Sequence, residues 1–164
     1  MAKTREQKKA IIDRIEDAVK TSPSTVFVHF NGLPVGEETA MRGGLREEGV
    51  SYFVSPKTLM KRAFDSAGIE GVQPALEGEV AIAYGSEDPT GPARNVYSFV
   101  KKYGDKVSIV GGVFEGRFMD AVEMNEVATI PPMDTLRGMF ANVINSPIQG
   151  FVVALNAIAE KKEA

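Results

Sequence analysis

Apolar positions along this chain follow two rhythms, and each change of rhythm marks a new element. Thr4, with Gln7 three residues on, has the form of a helix capping box. Ile11, Ile12, Ile15, Ala18 and Val19 then recur at helical spacing behind it. Ser22-Pro23-Ser24 breaks that period, and Thr25 to Phe30 (TVFVHF) is the β-branched and aromatic run of a buried strand. Asn31-Gly32-Leu33-Pro34 turns the chain. A helix is predicted from Glu37 to Glu48, weakened by Gly43-Gly44, then a second strand from Val50 to Val54. Pro56 suits the first turn of a short helix ending at Ala67. Glu79 to Tyr84 is a third strand, and Asp88 can cap a helix with Val96, Phe99 and Val100 on one side. Lys106 to Phe114 is a fourth strand, kinked at Gly111-Gly112, and a small helix follows from Asp120 to Ala128. Ile130-Pro131-Pro132 is the clearest boundary in the chain.

This order predicts an α+β protein. Its first part is a two-layer α/β sandwich with a mixed sheet over residues 1–130, and a long, kinked C-terminal helix follows over 133–164. In that tail the apolar positions are Leu136, Met139, Phe140, Val143, Ile144, Ile148, Phe151, Val152, Leu155 and Ile158, with gaps mostly of three and four. They make one long apolar helical face. Ser146-Pro147 interrupts it, so the helix either kinks there or stops and restarts.

The tail also repeats. Leu136-Arg137-Gly138-Met139-Phe140-Ala141-Asn142-Val143 aligns with Ile148-Gln149-Gly150-Phe151-Val152-Val153-Ala154-Leu155 at an offset of twelve. Twelve helical residues advance about 18 Å and about 120°. Two partners docked on the two units would therefore sit side by side. The second unit is apolar on nearly every side, and one small sheet cannot surround such a helix. Burying about five large side chains per unit, at roughly 1.5–3 kcal/mol each, gives a gross gain of ~10 kcal/mol. That offsets an association cost of ~4–15 kcal/mol only if the partner encloses the helix well. The tail reads as a surface for a partner.

Composition narrows the chemistry. There is no cysteine and a single histidine, His29, so thiolate and multi-histidine metal sites are excluded and no cofactor is expected. His29 sits in an apolar strand and is expected to pack in the core. Met119, Met124, Met133 and Met139 read as core and interface filler. No unbroken apolar run approaches the roughly 18 residues of a membrane span, and the N-terminus lacks the apolar stretch of a signal peptide. The expectation is a cytoplasmic protein with no membrane partner. The net charge is −3, so nucleic-acid binding must rest on local clusters. Three exist: Lys3, Arg5, Lys8 and Lys9 at the first helix; Arg42 and Arg46 one turn apart; and Lys57, Lys61 and Arg62 with the Thr58 hydroxyl after Pro56. No phosphate-binding glycine loop and no acid pair at catalytic spacing is present.

Two stretches carry a resemblance. Val54-Ser55-Pro56-Lys57-Thr58-Leu59-Met60-Lys61-Arg62-Ala63 is similar to the valine, basic, asparagine, threonine, leucine pattern of the bacterial large-subunit ribosomal protein ten family. Ser146-Pro147-Ile148 with Leu155-Asn156-Ala157-Ile158-Ala159-Glu160-Lys161-Lys162 resembles that family's tail almost word for word. Between them the chain matches in pattern more than in letters. Ser55-Pro56 departs from the family's polar pair before Lys57, so a contact carried by the family's asparagine is absent or altered here.

The resemblance implies a non-enzymatic ribosomal stalk base. It implies a globular domain that binds large-subunit rRNA beside ribosomal protein eleven, with the Lys3–Lys9 and Lys57–Arg62 clusters as phosphate contacts. It also implies a C-terminal helix that carries dimers of the acidic stalk protein, number twelve, which recruit translational GTPases. Taken with the twelve-residue repeat, it implies two dimers. Two other readings compete. A ribosome-assembly factor of the same superfamily would be expected to lack the dimer-binding tail. A small α/β enzyme with an oligomerisation helix would need a pocket of convergent polar groups.

Overall fold

The computed structural model describes residues 4–71, 73–76, 78–85 and 88–163. They fall into two compact units, 1–130 and 131–164. In the first, α1 (Arg5–Thr21) is followed by β1 (Ser24–Phe30), α2 (Val35–Glu47), β2 (Ser51–Val54), α3 (Lys57–Ala67) and β3 (Glu79–Gly85). Then come α4 (Gly91–Tyr103), β4 (Val107–Phe114), β5 (Arg117–Asp120) and α5 (Ala121–Thr129). The second unit is α6 (Met133–Glu163).

Local chemistry sets several of these ends. At α1 the Gln7 amide donates to Thr4 Oγ1 (3.4 Å) while Gln7 Oε1 accepts from the Thr4 amide (3.1 Å), closing the expected capping box. Asp120 and Glu123 form a second one at α5. Gly68 ends α3 in the left-handed region, at φ 66°, which costs glycine little.

The sheet corrects the sequence expectation in three ways. Its order is β2-β3-β1-β4-β5, and all its ladders are antiparallel rather than mixed. β1 and β2 are both antiparallel to β3, which lies between them; β3 and β4 flank β1 in the same way. Two strand–helix–strand connections, β1–α2–β2 and β3–α4–β4, are thus crossovers split by an inserted strand, while α3 joins the adjacent antiparallel β2 and β3. The alternation of elements survives although no adjacent pair of strands is parallel.

Second, helices cover both faces, making three layers instead of two. Val26, Val28, Ala83, Val107 and Ile109 pack with Met41, Leu45, Val96 and Met124 from α2, α4 and α5. Phe27, Val80, Ile82 and Val113 pack on the other face with Ile15, Met60 and Phe64 from α1 and α3. Alternate side chains of β1 therefore serve opposite cores, which is why TVFVHF is apolar nearly throughout.

Third, there is a fifth strand. A two-residue turn, Glu115 (φ 50°) and Gly116 (φ 82°), folds β5 back on β4. Two positive φ values match the right-handed twist of a hairpin. The predicted kink in β4 is a bulge: the register of β1 against β4 slips between Phe27 and Val28, beside Gly111. A Cβ on Gly111 would lie 2.7 Å from the Met119 carbonyl oxygen.

In the second unit, α6 runs through Pro147 without stopping, so Ser146 does not restart a helix. Pro147 has no N–H to give the Val143 carbonyl one turn back.

Candidate nucleic-acid interface and the exposed helix

The expected cations spread over three helices. Arg5, Lys8 and Lys9 are exposed on the first turns of α1, while Lys3 lies outside the described residues. On α3, Thr58, Lys61 and Arg62 are exposed and Lys57 is half-buried. Lys57 lines a cavity of about 410 Å³ with Phe30, Ser55 and Gly78. The Ser55 hydroxyl is buried with no hydrogen-bond partner among the described residues. On α2, Arg42 and Arg46 are exposed. Arg42 donates to Glu38 one turn back, and its guanidinium lies 5.5 Å from the centre of the Tyr52 ring.

Folding brings Arg42 and Arg46 to a third cation that the sequence did not single out. Arg14 of α1 stands 4.8 Å from the centre of the Phe53 ring. Arg14, Arg42 and Arg46 line one cavity of about 440 Å³ with Thr39, Ser51 and Tyr52. Burial pushes the Tyr52 phenol up to about 12; Glu38 adds to the shift and Arg42 opposes it. At neutral pH that phenol is a donor, and its hydroxyl is buried without a partner among the described residues. No local pattern marks Arg14, because packing alone assembles this group.

Elsewhere, His29 is half-buried rather than a core residue. Its ring lies against the backbone of Gly78 (φ 66°), where a Cβ would come 2.2 Å from Nε2. Met119 and Met124 are in the core, while Met133 and Met139 are exposed. Burial raises the Asp88 carboxyl, but hydrogen bonds from Arg94 (2.8 Å) and Thr90 outweigh it and hold the group below the usual carboxylate range. Among the described residues no cluster of His, Asp or Glu could hold a metal.

All ten apolar tail residues named from the sequence are exposed, from 42% at Leu136 to 70% at Val143. Val153, part of the second repeat unit but not one of those ten, is exposed as well. The expectation that nothing here suits a bilayer needs correction. Counted as an average rather than as an unbroken run, Met133–Ile158 is long and apolar enough to cross a membrane. Against that use, Arg137, Asn142, Asn145, Gln149 and Asn156 punctuate the helix, and such groups are costly in hydrocarbon.

An α/β body with dispersed surface cations, joined to an exposed apolar helix, offers surfaces for binding. Comparison with known proteins places it among structural ribosomal proteins rather than enzymes. Residues 3–101 match the family model for ribosomal protein L10, and residues 130–164 match that for the ribosomal protein uL10 C-terminal region. Large ribosomal subunit protein uL10 of Staphylococcus carnosus (strain TM300) is 39% identical over 158 residues, covering 96% of this chain and 95% of that protein. The protein of the same name from Staphylococcus aureus (strain Newman) is 40% identical with the same coverage. The chain belongs to the ribosomal protein L10 (uL10) family.

Proposed function

We propose that this chain is the base of the large-subunit stalk in bacterial ribosomes. Its body, residues 1–130, binds large-subunit rRNA beside ribosomal protein eleven. The phosphate contacts come from Lys3, Arg5, Lys8, Lys9, Arg42, Arg46, Lys57, Thr58, Lys61 and Arg62. Its tail, residues 133–164, holds two dimers of the acidic stalk protein, number twelve, one on each twelve-residue unit, and those dimers recruit translational GTPases. The protein works bound to the ribosome in the cytoplasm.

The observation that carries this reading is α6: ten large apolar side chains, all exposed, eight of them in the two repeated units, on a chain of this family. Deleting residues 133–164 tests it. The truncated body is expected to fold and bind rRNA while losing the acidic stalk protein, because the described side chains from 132 to 158 are all exposed. Unfolding of the truncated body would make the tail part of the core and overturn the division. On the intact chain, the mass of the native complex is expected to correspond to two dimers.

A further inference from the structure

Arg14 belongs to no basic cluster in the sequence; Asp13 and Asp17 lie either side of it. Packing changes its company. α1 covers one face of the sheet and α2 the other, and β2 is the outer strand between them. Neighbouring side chains of β2 point to opposite faces. Arg14 reaches over Phe53 from one side, and Arg42 over Tyr52 from the other. With Arg46 they line a single cavity.

Among the described residues lining that cavity there is no carboxylate, while Thr39 and Ser51 are hydroxyl residues on its wall. Glu38 engages one edge of Arg42, but a guanidinium has five N–H donors and keeps others free. A guanidinium stacked on a ring still presents its forked edge, a geometry that matches phosphate oxygens in pairs.

We propose that this cavity is the seat of an RNA phosphodiester group, with Arg14 as its third cation. The proposal rests on the RNA-binding reading above and adds a residue and a location to it. Arginines beside an outer strand can also discourage strand pairing between molecules. That role needs charge along the edge, not three guanidinium groups and two hydroxyl residues around one concavity.

The test measures binding of the full chain to a large-subunit rRNA transcript across a range of salt. Arg14→Ala is expected to weaken binding about tenfold and to lower the slope of log affinity against log salt by roughly one. Arg14→Lys should recover part of the loss, since it keeps the charge without the fork. Lys101→Ala, a cation on α4 beside Tyr97, should change neither quantity by more than about twofold. Unaltered circular dichroism and melting would confirm that Arg14→Ala folds.

If Arg14→Ala leaves affinity and slope unchanged while Lys61→Glu/Arg62→Glu weakens binding, the seat is overturned and the RNA reading stands. If the wild-type chain does not bind the transcript, both fall. Self-association of Arg14→Ala with undiminished RNA affinity would overturn the proposal in favour of edge protection. A loss confined to binding of the acidic stalk protein would overturn it in favour of a protein partner.

Discussion

Replacing Phe151 by aspartate tests whether the tail holds two independent docking units. Phe151 is 66% exposed in the free chain, so docking has about two-thirds of its surface left to bury. Full burial of a phenylalanine is worth roughly 1.5–3 kcal/mol, so the share still to be gained is about 1–2 kcal/mol. Aspartate forfeits that and brings an unpaired charge, whose desolvation costs several kcal/mol more. The sum is at least about 3 kcal/mol, which is on the order of a hundredfold in affinity at the second unit. Met139, 52% exposed, is its equivalent in the first unit. About 18 Å of helix separates the two, far enough for their effects to add. Native mass spectrometry with the acidic stalk protein should find two dimers on wild type, one on Phe151→Asp, one on Met139→Asp and none on the double variant. Three dimers on wild type would refute the two-unit count. Loss of both dimers from either single variant would refute independence.

Two further outcomes probe the body. At Gly112 a Cβ would stand 2.1 Å from Met124 Cε and 2.5 Å from the Thr25 carbonyl oxygen. The methionine can swing aside but the strand backbone cannot, so Gly112→Ala should destabilise by about 1–3 kcal/mol, or roughly 5–10 °C in Tm, read by calorimetry. Arg94 and Thr90 hold the Asp88 carboxyl below the usual carboxylate range, so the pair with Arg94 contributes stability at neutral pH and loses it as the carboxyl protonates in acid. Because both side chains are partly exposed, Asp88→Asn should cost only about 0.5–1 kcal/mol at neutral pH. That deficit, measured by urea unfolding, should shrink between about pH 5 and 3; a deficit constant over that range would contradict the pairing.

The parts of the fold legible in the sequence were those set by neighbours along the chain. Thr4 and Gln7 mark the start of α1, and Gly111-Gly112 marks a fault in β4, because each signal and its effect lie within a few residues. The layer count was encoded but misread. A strand apolar at successive positions has two faces to bury, and Val26, Phe27 and Val28 do serve two cores. β5 was missed because it is only four residues long and charged at both ends, Arg117 and Asp120, and its turn has glycine at only one of two positive-φ positions. Strand order could not be read at all. A helix between two strands fixes neither which strand is later inserted between them nor on which side the chain returns.

The same distinction separates the two candidate binding surfaces. The docking face of α6 belongs to one helix, whose period alone aligns Leu136 through Ile158, so the sequence holds all of it. The arginine cavity takes residues from α1, α2 and β2, and two of its cations lie on opposite sides of a strand end. No window of sequence contains it. Charge counting could not find it either: a chain of net charge −3 can concentrate three cations at one edge, because mobile ions screen its distant acids over about 8–10 Å. A lesion that loosens α1 from the sheet would therefore separate Arg14 from Arg42 and weaken the RNA seat. The same lesion would leave the period of α6, and so its docking face, unchanged.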